Sequence, residues 1–242
     1  MRALTNLLIV AAFTASITHA ETIRAVTEAT PYTYLKDGKV AGPATELVEL
    51  TLKRAGFAAY QTSLYPWARS YDMALHEPNV LIYLIARTPA RENQFQWVGE
   101  IMKIQYHLFK LKDRQDIVVK NLQDAKNYTI GAMRDDVRYR YLEAQGFTRL
   151  VISSESIDNF NKLLNRRVDL VPLVEREARS MCEEVHFNCA NLEKMLTLHE
   201  VTTGLYMAYS KSTPDSVVER TRAGFEKIKA EGGVRKIIGE NP

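Results

Sequence analysis

The sequence predicts an α/β protein of two similar lobes, each a mostly parallel sheet flanked by helices, with a ligand cleft between the lobes. Three observations predict this fold class. Strand-like and helix-like patterns alternate along the chain, and a second βα series repeats the order of the first. In addition, the apolar run at 79–85 is typical of a strand that is covered on both faces of a sheet.

The composition fits a folded globular chain and excludes several classes of function. The chain has 242 residues, of which 46% are hydrophobic and 25% charged, which suits one large domain or two small ones. Its formal net charge is only +3 and the signs are mixed along the chain, so a nucleic-acid partner is not expected. Because no nucleotide-binding, zinc-protease or serine-hydrolase motif is present, the sequence predicts no cofactor and no metal.

The N-terminus has the pattern of a secretory signal peptide. Arg2 precedes an apolar run at 7–17, and small residues follow up to Ala20. The run is too short to cross a bilayer, which needs about 20 residues. We therefore predict a signal peptide at 1–20, cleaved after Ala20, and a periplasmic protein without stable membrane insertion. A buried N-terminal helix is the alternative.

The first series of elements builds one lobe. A strand is predicted at 22–27, followed by a helix whose apolar residues recur at helical spacing up to Gly56. A strand at 57–64, a short helix at 66–75 and the buried strand at 79–85 complete the series. A long extended stretch at 101–112 then leaves the lobe, since apolar and polar residues alternate along it.

The second series builds the other lobe and returns to the first. Strands are predicted at 128–133, 150–153 and 168–173, with helices ending at Gly146 and spanning 157–164. A strand at 201–210 leads back to a helix that Thr213-Pro214-Asp215 starts and Gly232-Gly233 stops. The predicted lobes are therefore 21–103 with 205–242, and 104–204.

Cys182 and Cys189 lie seven positions apart. In an oxidising compartment a lone pair at this spacing predicts a structural disulfide. Zinc binding with His186 is the alternative, but no further cysteine pair or histidine cluster completes a ligand set. The other histidines have no metal-ligand spacing, and we expect them at the surface or in hydrogen bonds.

The segment Arg87-Thr88-Pro89-Ala90-Arg91 directly follows the buried strand and is the densest candidate for ligand binding. A guanidinium at such a loop can hold a carboxylate through two parallel hydrogen bonds. The alternative is that Arg87 and Arg91 lie on a solvated helix start.

Two further segments are candidate parts of the cleft. Trp67 and Arg69 follow a loop-like Tyr-Pro pair, and a Trp face can pack a ligand or hold a cation, although Trp67 would also suit the core. Arg134 and Asp135 follow a predicted strand and open a helix, where an anion would meet free N–H groups. Simple capping of that helix by Asp135 and Asp136 is the alternative.

Taken in order along the chain, these segments resemble extracellular solute-binding protein family 3 of bacteria. The resemblance rests on 30–34 (TPYTY) and 37–42 (DGKVAG), the helix to Gly56, Thr88 to Arg91, 95–97 (FQW), 204–211 and the terminal helix, and it covers essentially the whole mature chain. The segment 65–69 (YPWAR) is similar to a branch of the family.

The resemblance implies a type II periplasmic-binding fold and specific ligand contacts. Arg91, at the end of the Thr-x-x-Arg motif, would clamp the α-carboxylate of the ligand, and Tyr32 or Tyr34 would cover its body. The chain departs from the family pattern at Ala86, where a Thr or Ser is usual. It departs again at Val174, where an Asp holds the α-ammonium; Glu175 is the candidate substitute.

The function that this resemblance implies is capture of a small carboxylate-bearing solute, an amino acid or a related compound, by hinge closure. The protein would be a non-enzymatic monomer that delivers its ligand to an ABC permease for uptake or to a membrane sensor. The alternative is a periplasmic enzyme on the same fold, related to a dehydratase or to the lobe of a lytic enzyme.

Overall fold

The computed structural model describes residues 22–201 and 203–239. The predicted signal peptide and its cleavage site lie outside these residues. Across the described part of the chain, no helix combines the length and apolar character that a membrane span requires.

The described part of the chain folds into two lobes of mixed α/β structure. The first lobe begins with β1 (Ile23–Thr27), β2 (Tyr34–Lys36), β3 (Lys39–Ala41), α1 (Pro43–Arg54), β4 (Tyr60–Leu64), α2 (Trp67–His76), β5 (Val80–Ala86) and β6 (Phe95–Ile104). The second lobe contains β7 (His107–Leu111), α3 (Leu122–Ala125), β8 (Ile130–Met133), α4 (Val137–Ala144), β9 (Leu150–Ser153), α5 (Ser156–Leu164), β10 (Val171–Leu173), α6 (Glu175–Glu184) and β11 (Leu192–Thr197). The chain then returns through β12 (Thr203–Ser210), α7 (Asp215–Ala230) and α8 (Gly233–Ile238).

A five-stranded sheet in the order β4-β1-β5-β12-β6 forms the centre of lobe 1. β1 pairs in parallel with β4 and β5, whereas the returning β12 runs antiparallel to β5 and β6. Every residue of β5 is buried, as the apolar run predicts, because α1 and α2 contact it and further strands flank it. The carboxyl end of β5 therefore lies at the middle of the sheet and directs the following loop towards lobe 2.

Lobe 2 combines parallel and antiparallel pairs. β8 and β9 are parallel, and Ile130 makes a parallel bridge to Leu170. β7 pairs antiparallel with β10 and with β11, a strand that the sequence analysis did not identify.

Two neighbouring connections join the lobes. The first leads from β6 to β7 and the second from β11 to β12. They run side by side, since the N–H of Leu198 donates to the carbonyl of Tyr106 at 2.8 Å. The side chains of His107 and Thr197 also hydrogen-bond each other at 2.9 Å.

The helix α7 packs against α1 and fixes the returning chain to lobe 1. Gly224 makes this close approach possible, because a Cβ there would lie 2.7 Å from the carbonyl oxygen of Thr51. The core of this lobe includes Val218, Phe225 and Ile228 of α7, the positions that the sequence pattern assigns to its apolar face.

A disulfide joins Cys182 in α6 to Cys189, with a Cα–Cα distance of 5.6 Å. It ties the end of α6 to the turn that leads into β11. The zinc alternative is wrong, because the two sulfur atoms are bonded to each other.

The structure differs from the predicted elements at several points. The extended stretch 101–112 is interrupted at 105–106, because the chain leaves lobe 1 there and the Tyr106 side chain turns into the interior. The strand expected at 57–64 begins at Tyr60, since Phe57 packs into the core. The strand expected at 201–210 begins at Thr203, after a 3₁₀ turn at His199–Val201. Gly232 ends α7 in a left-handed conformation, but a further short helix, α8, follows.

Candidate functional site

A small chamber of about 60 Å³ lies between the two lobes. Of the residues predicted to bind a ligand, Tyr32, Trp67 and Arg91 line it. The sequence analysis missed other members of its wall, which are Glu28, Thr30, Pro31, Leu84, Ala86, Ile104, Tyr106, Asp136, Val137, Arg138, Val174, Glu177 and Leu205. Three carboxyl groups and two guanidinium groups are therefore in or at this chamber.

Arg91 is the cationic residue of lobe 1 in the chamber, and only 5% of it is exposed. Its Nη1 donates to the carbonyl of Ala86 at the end of β5 at 3.3 Å, and its Nη2 donates to the carbonyl of Asp135 at 2.9 Å. The guanidinium carbon lies 4.8 Å from the ring centre of Tyr71 and 5.6 Å from that of Trp67. Since a guanidinium has five N–H donors, several remain for an anion.

Trp67 connects the same two lobes. Its Nε1 donates to the Asp135 carbonyl at 3.1 Å, so this one oxygen accepts hydrogen bonds from both Trp67 and Arg91. Asp135 has a φ of 58°, an uncommon conformation for a residue with a Cβ, and this turn presents its carbonyl to lobe 1. Only 3% of Trp67 is exposed, and its side chain is also part of the chamber wall. Both interpretations of Trp67, as a core residue and as a cleft residue, therefore apply.

The turn that carries Tyr32 is fixed against the start of α1. The N–H of Ala44 donates to the Tyr32 carbonyl at 3.0 Å. Gly42 has a φ of 111°, and a Cβ there would lie 2.5 Å from that carbonyl oxygen, so only glycine fits. Next to it, the hydroxyls of Thr33 and Thr45 hydrogen-bond each other at 3.1 Å.

The Tyr32 side chain is buried, and its hydroxyl has no hydrogen-bond partner in the described part of the chain. Burial raises the pKa of this phenol, and the nearby Arg176 partly offsets that increase. The Arg176 guanidinium carbon lies 4.5 Å from the ring centre. An uncharged hydroxyl that lacks a partner in a buried position is available to a ligand.

Glu28 follows β1 directly and is partly buried between the lobes. It makes no hydrogen bond or ion pair with any residue of the ranges 22–201 and 203–239. Burial raises the pKa of its carboxyl group well above the usual range, and the nearby carboxyl group of Asp136 raises it further, while the Arg138 guanidinium offsets part of this increase. An acid in this state favours a cationic partner, because such a partner would offset the cost of its ionisation.

Arg138 organises the wall of lobe 2. Its Nε donates to Asp136 at 2.5 Å, and its Nη1 donates to the Pro172 carbonyl at 3.0 Å and to Glu177 at 3.3 Å. Burial by itself would lower the pKa of this guanidinium, but Asp136 and Glu177 raise it well above the usual value. Arg138 is thus held as a cation by the protein's own acceptors, with its guanidinium 5.0 Å from the Tyr106 ring.

A bulge in β5 turns Leu84 into the chamber. The pairing of β12 with β5 shifts at this point, so Tyr206 faces Ile85 and Met207 faces Tyr83. Leu84 is left unpaired with a φ of 60° and lines the chamber. Bulges of this kind commonly redirect a side chain beside a binding site.

A wide groove opens beside the chamber, and we call it the mouth groove. It has a volume of about 660 Å³ and shares Glu28, Thr30, Pro31 and Glu177 with the chamber. Tyr34, a predicted ligand-binding residue, lines this groove and is 44% exposed.

A third cavity lies on the far side of Arg91 and is about 360 Å³. Thr88 and Asp135, both predicted ligand-binding residues, line it together with Arg91. The Asp135 carboxylate is paired with Arg140 at 2.6 Å. Asp136 caps α4, since its side chain accepts from the N–H of Arg138, so the capping alternative holds for this residue.

The remaining predicted residues lie outside these three cavities and have partners in the protein or face solvent. Arg69 is stacked on the Tyr65 ring at 4.2 Å. Arg87 is paired with Glu92 through two hydrogen bonds of 2.8 and 2.5 Å. Arg134 is exposed. Glu175 is bonded to Lys194 at 2.5 Å on the surface.

The described residues include no group of three or more His, Cys, Asp or Glu side chains arranged to hold a metal ion. The chamber itself presents side-chain and backbone hydrogen-bonding groups, aromatic rings and charges. These groups can bind and orient a small polar molecule.

Comparisons with known proteins identify the architecture. No protein-family model matches the sequence, and no curated protein matches it. Among solved structures, a histidine kinase sensor domain with similarity to periplasmic binding proteins superposes with a TM-score of 0.80 at 17% identity, over 90% of this chain and 95% of that one.

Two amino-acid-binding proteins are also similar in structure. The arginine-, lysine-, histidine-binding protein of Geobacillus stearothermophilus has a TM-score of 0.76 at 18% identity, over 91% of this chain and 96% of its own. An amino acid ABC transporter substrate-binding protein of Streptococcus pneumoniae, bound to L-arginine, has a TM-score of 0.75 at 18% identity. The match covers 90% of this chain and 93% of that protein's chain. The chain has the two-lobed α/β fold of periplasmic binding proteins.

Proposed function

We propose that this protein is a periplasmic solute-binding protein that captures a small solute bearing both a carboxylate and a cationic group. The observation that carries the proposal is the presence of Arg91 and Glu28 in the wall of one buried chamber. Every α-amino acid has both groups, as a carboxylate and an α-ammonium group, and we choose a basic amino acid because it adds a second cationic group. Arginine-binding proteins of the same fold support this choice.

Five chamber residues have a defined role in this proposal. Arg91 donates its remaining N–H groups to the carboxylate, which is a charge-assisted contact. Glu28 accepts from the cationic group of the solute, and the hydroxyl of Tyr32 offers it a further acceptor. Trp67 and Leu84 supply apolar walls around the body of the solute.

The capture mechanism that we propose is hinge closure. The chamber wall combines lobe 1 residues such as Arg91 with lobe 2 residues such as Arg138, so a solute contacts both sets only when the lobes are together. A solute that makes more contacts in the closed form shifts the population towards it. In this proposal the lobes are 21–103 with 205–242, and 104–204.

The proposed destination of the ligand is a membrane protein, either an ABC permease for uptake or a sensor. The structural neighbours include both a substrate-binding protein of an amino acid ABC transporter and a kinase sensor domain. We propose that the chain is exported to the periplasm with its signal peptide removed after Ala20, and that it acts as a monomer without enzymatic activity.

A thermal-shift screen of amino acids, amines and organic acids, followed by calorimetry, tests the proposal. We expect basic amino acids to raise the melting temperature, and compounds that lack either the carboxylate or the cationic group to have a smaller effect. Failure of all these compounds to bind would contradict the proposal. Conversion of a bound compound into a product would favour the enzyme alternative.

A further inference from the structure

The chamber is too small to enclose a whole basic amino acid. Each water-sized group needs about 10 to 15 Å³ of such volume, so 60 Å³ holds only about four to six of them. A basic amino acid with its carboxylate at Arg91 would therefore extend past Glu28 into the mouth groove, which Glu28 also lines. The groove is about 660 Å³ and has room for considerably more than the end of one side chain.

Where the chamber meets the mouth groove, two polar side chains lack a hydrogen-bond partner among the described residues. The Glu28 carboxyl group makes no hydrogen bond within the described ranges, although the Arg138 guanidinium is near enough to favour its charged form. The Tyr32 hydroxyl is buried without a hydrogen bond. Arg176, which lines the mouth groove, lies over the ring of Tyr32, which lines the chamber. A chain passing through this junction would therefore meet polar groups, not a closed apolar wall.

Farther out, the groove is acidic. Glu155, Glu183 and Glu184 line it, are exposed, and form no ion pair with any residue in the part of the chain that the structure describes. Glu155 occupies the N-cap of α5 without making a side-chain capping bond, so its carboxylate is not used by the helix. Two basic residues also line the groove, and each already has a partner. The Nη1 of Arg179 lies 4.0 Å from a carboxylate oxygen of Glu175, and the guanidinium of Arg176 is stacked on the Tyr32 ring.

We infer that the natural ligand is a short basic peptide, with its C-terminal carboxylate at Arg91 and its positively charged N-terminal part in the acidic mouth groove. This inference rests on the proposed function, since it uses the same chamber and extends the ligand beyond it. The direction of the peptide follows from the charges, because the guanidinium is at the inner end and the unpaired carboxylates are at the outer end.

Calorimetry with three probes tests the inference: L-arginine, the dipeptide Lys-Arg and the dipeptide Glu-Arg. We expect Lys-Arg to bind about fivefold tighter than L-arginine, and Glu-Arg weaker than Lys-Arg, because exposed carboxylates each contribute modestly to a nearby cation. The advantage of Lys-Arg should decrease with added salt.

The double variant Glu183→Gln with Glu184→Gln isolates the groove. We expect it to reduce the Lys-Arg advantage to about twofold or less while the affinity for L-arginine is unchanged, because these carboxylates are modest contributors at the outer end only. The matched control is Glu219→Gln with Glu226→Gln, which removes two carboxylates from the exposed face of α7 and should leave all three affinities as they are.

The outcomes separate the two proposals. If L-arginine binds and Lys-Arg binds no tighter, or if the groove variant keeps the full Lys-Arg advantage, the peptide inference is wrong and the proposed function stands. If neither L-arginine nor Lys-Arg binds to the wild-type protein, the proposed function is contradicted and the peptide inference with it.

Discussion

The guanidinium of Arg91 in lobe 1 donates a hydrogen bond of 2.9 Å to the backbone carbonyl of Asp135 in lobe 2. The side chain that we propose as the carboxylate clamp is therefore also a direct contact between the lobes. A carboxylate that binds Arg91 would complete or replace this contact. If the lobes close around a ligand as we propose, this contact would link ligand binding to closure through Arg91.

Substitution of Arg91 by Ala should weaken ligand binding by about 10- to 100-fold, because a desolvated charge-assisted hydrogen bond contributes about 1.5 to 3 kcal/mol. Calorimetry with the best ligand of the screen measures this loss. Arg87→Ala is the matched control, since Arg87 lies in the same loop but is paired with Glu92. Equal affinities of the Arg91→Ala variant and the wild type would remove Arg91 from the site.

Substitution of Glu28 by Gln should weaken the binding of a cationic solute by at least about tenfold, because the isosteric amide keeps the shape and loses the charge. In the wild type, a cation at Glu28 favours the ionised carboxyl group, so binding should release a proton. Calorimetry in buffers of different ionisation enthalpy detects this release, and the Glu28→Gln variant should not show it. Proton release that persists in the variant would assign it to another group.

The same variant should be more stable than the wild type at alkaline pH in the absence of ligand. The pKa of Glu28 is raised in the folded protein, so the folded state holds a proton that the unfolded state has lost. Stability from this group is present below the ordinary Glu pKa of about 4.3 and is lost as the pH rises through the folded pKa.

We therefore expect Glu28→Gln to melt at a higher temperature than the wild type at pH 8, and at nearly the same temperature at pH 4. A melting curve at each pH measures the difference. A wild type that is more stable than the variant at pH 8 would show that Glu28 has a stabilising partner.

Removal of the disulfide, by substitution of both Cys182 and Cys189 with Ser, should reduce the free energy of unfolding by about 2 to 3 kcal/mol, because a short loop is no longer closed in the unfolded chain. Denaturant titration measures the change, and the wild type with a reducing agent should show the same shift. Two titratable thiols in the native exported protein would contradict the bond.

Substitution of Gly42 by Ala should destabilise the protein by at least about 1 to 3 kcal/mol, because the new Cβ meets the Tyr32 carbonyl at 2.5 Å in a backbone conformation that favours glycine. Ligand affinity should also decrease, since the turn that carries Tyr32 must move. Gly38→Ala is the control, because Gly38 also has a positive φ but a Cβ there would have no atom within 4 Å.

The sequence predicted the architecture well where patterns are local. The apolar run at 79–85 corresponds to β5, and the helical spacing of α7 marks its buried face, because burial on a sheet or on one side of a helix imposes a period on the sequence. The helix α6 was missed because only Ala178, Met181 and Cys182 of its ten residues are buried, too few for a clear pattern.

The site was predicted only in part because its residues come from distant segments. Arg91 belongs to a motif next to a strand, and that position indicates a binding loop. Glu28 is a single acid after β1, and nothing in its neighbours distinguishes it from a surface residue. The bonds of Arg138 to Asp136, Pro172 and Glu177 depend on the folding of lobe 2, which spacing along the chain does not reveal.

The side-by-side connections between the lobes have a consequence for the hinge closure that we propose. Leu198 is hydrogen-bonded to Tyr106, and His107 is hydrogen-bonded to Thr197. Because these bonds hold the two connections together, we expect them to bend as one narrow ribbon. We expect such a ribbon to act as the hinge, so that the lobes would separate at the edge of the cleft that faces away from the two connections. A bound molecule would then always enter and leave from the side opposite the ribbon.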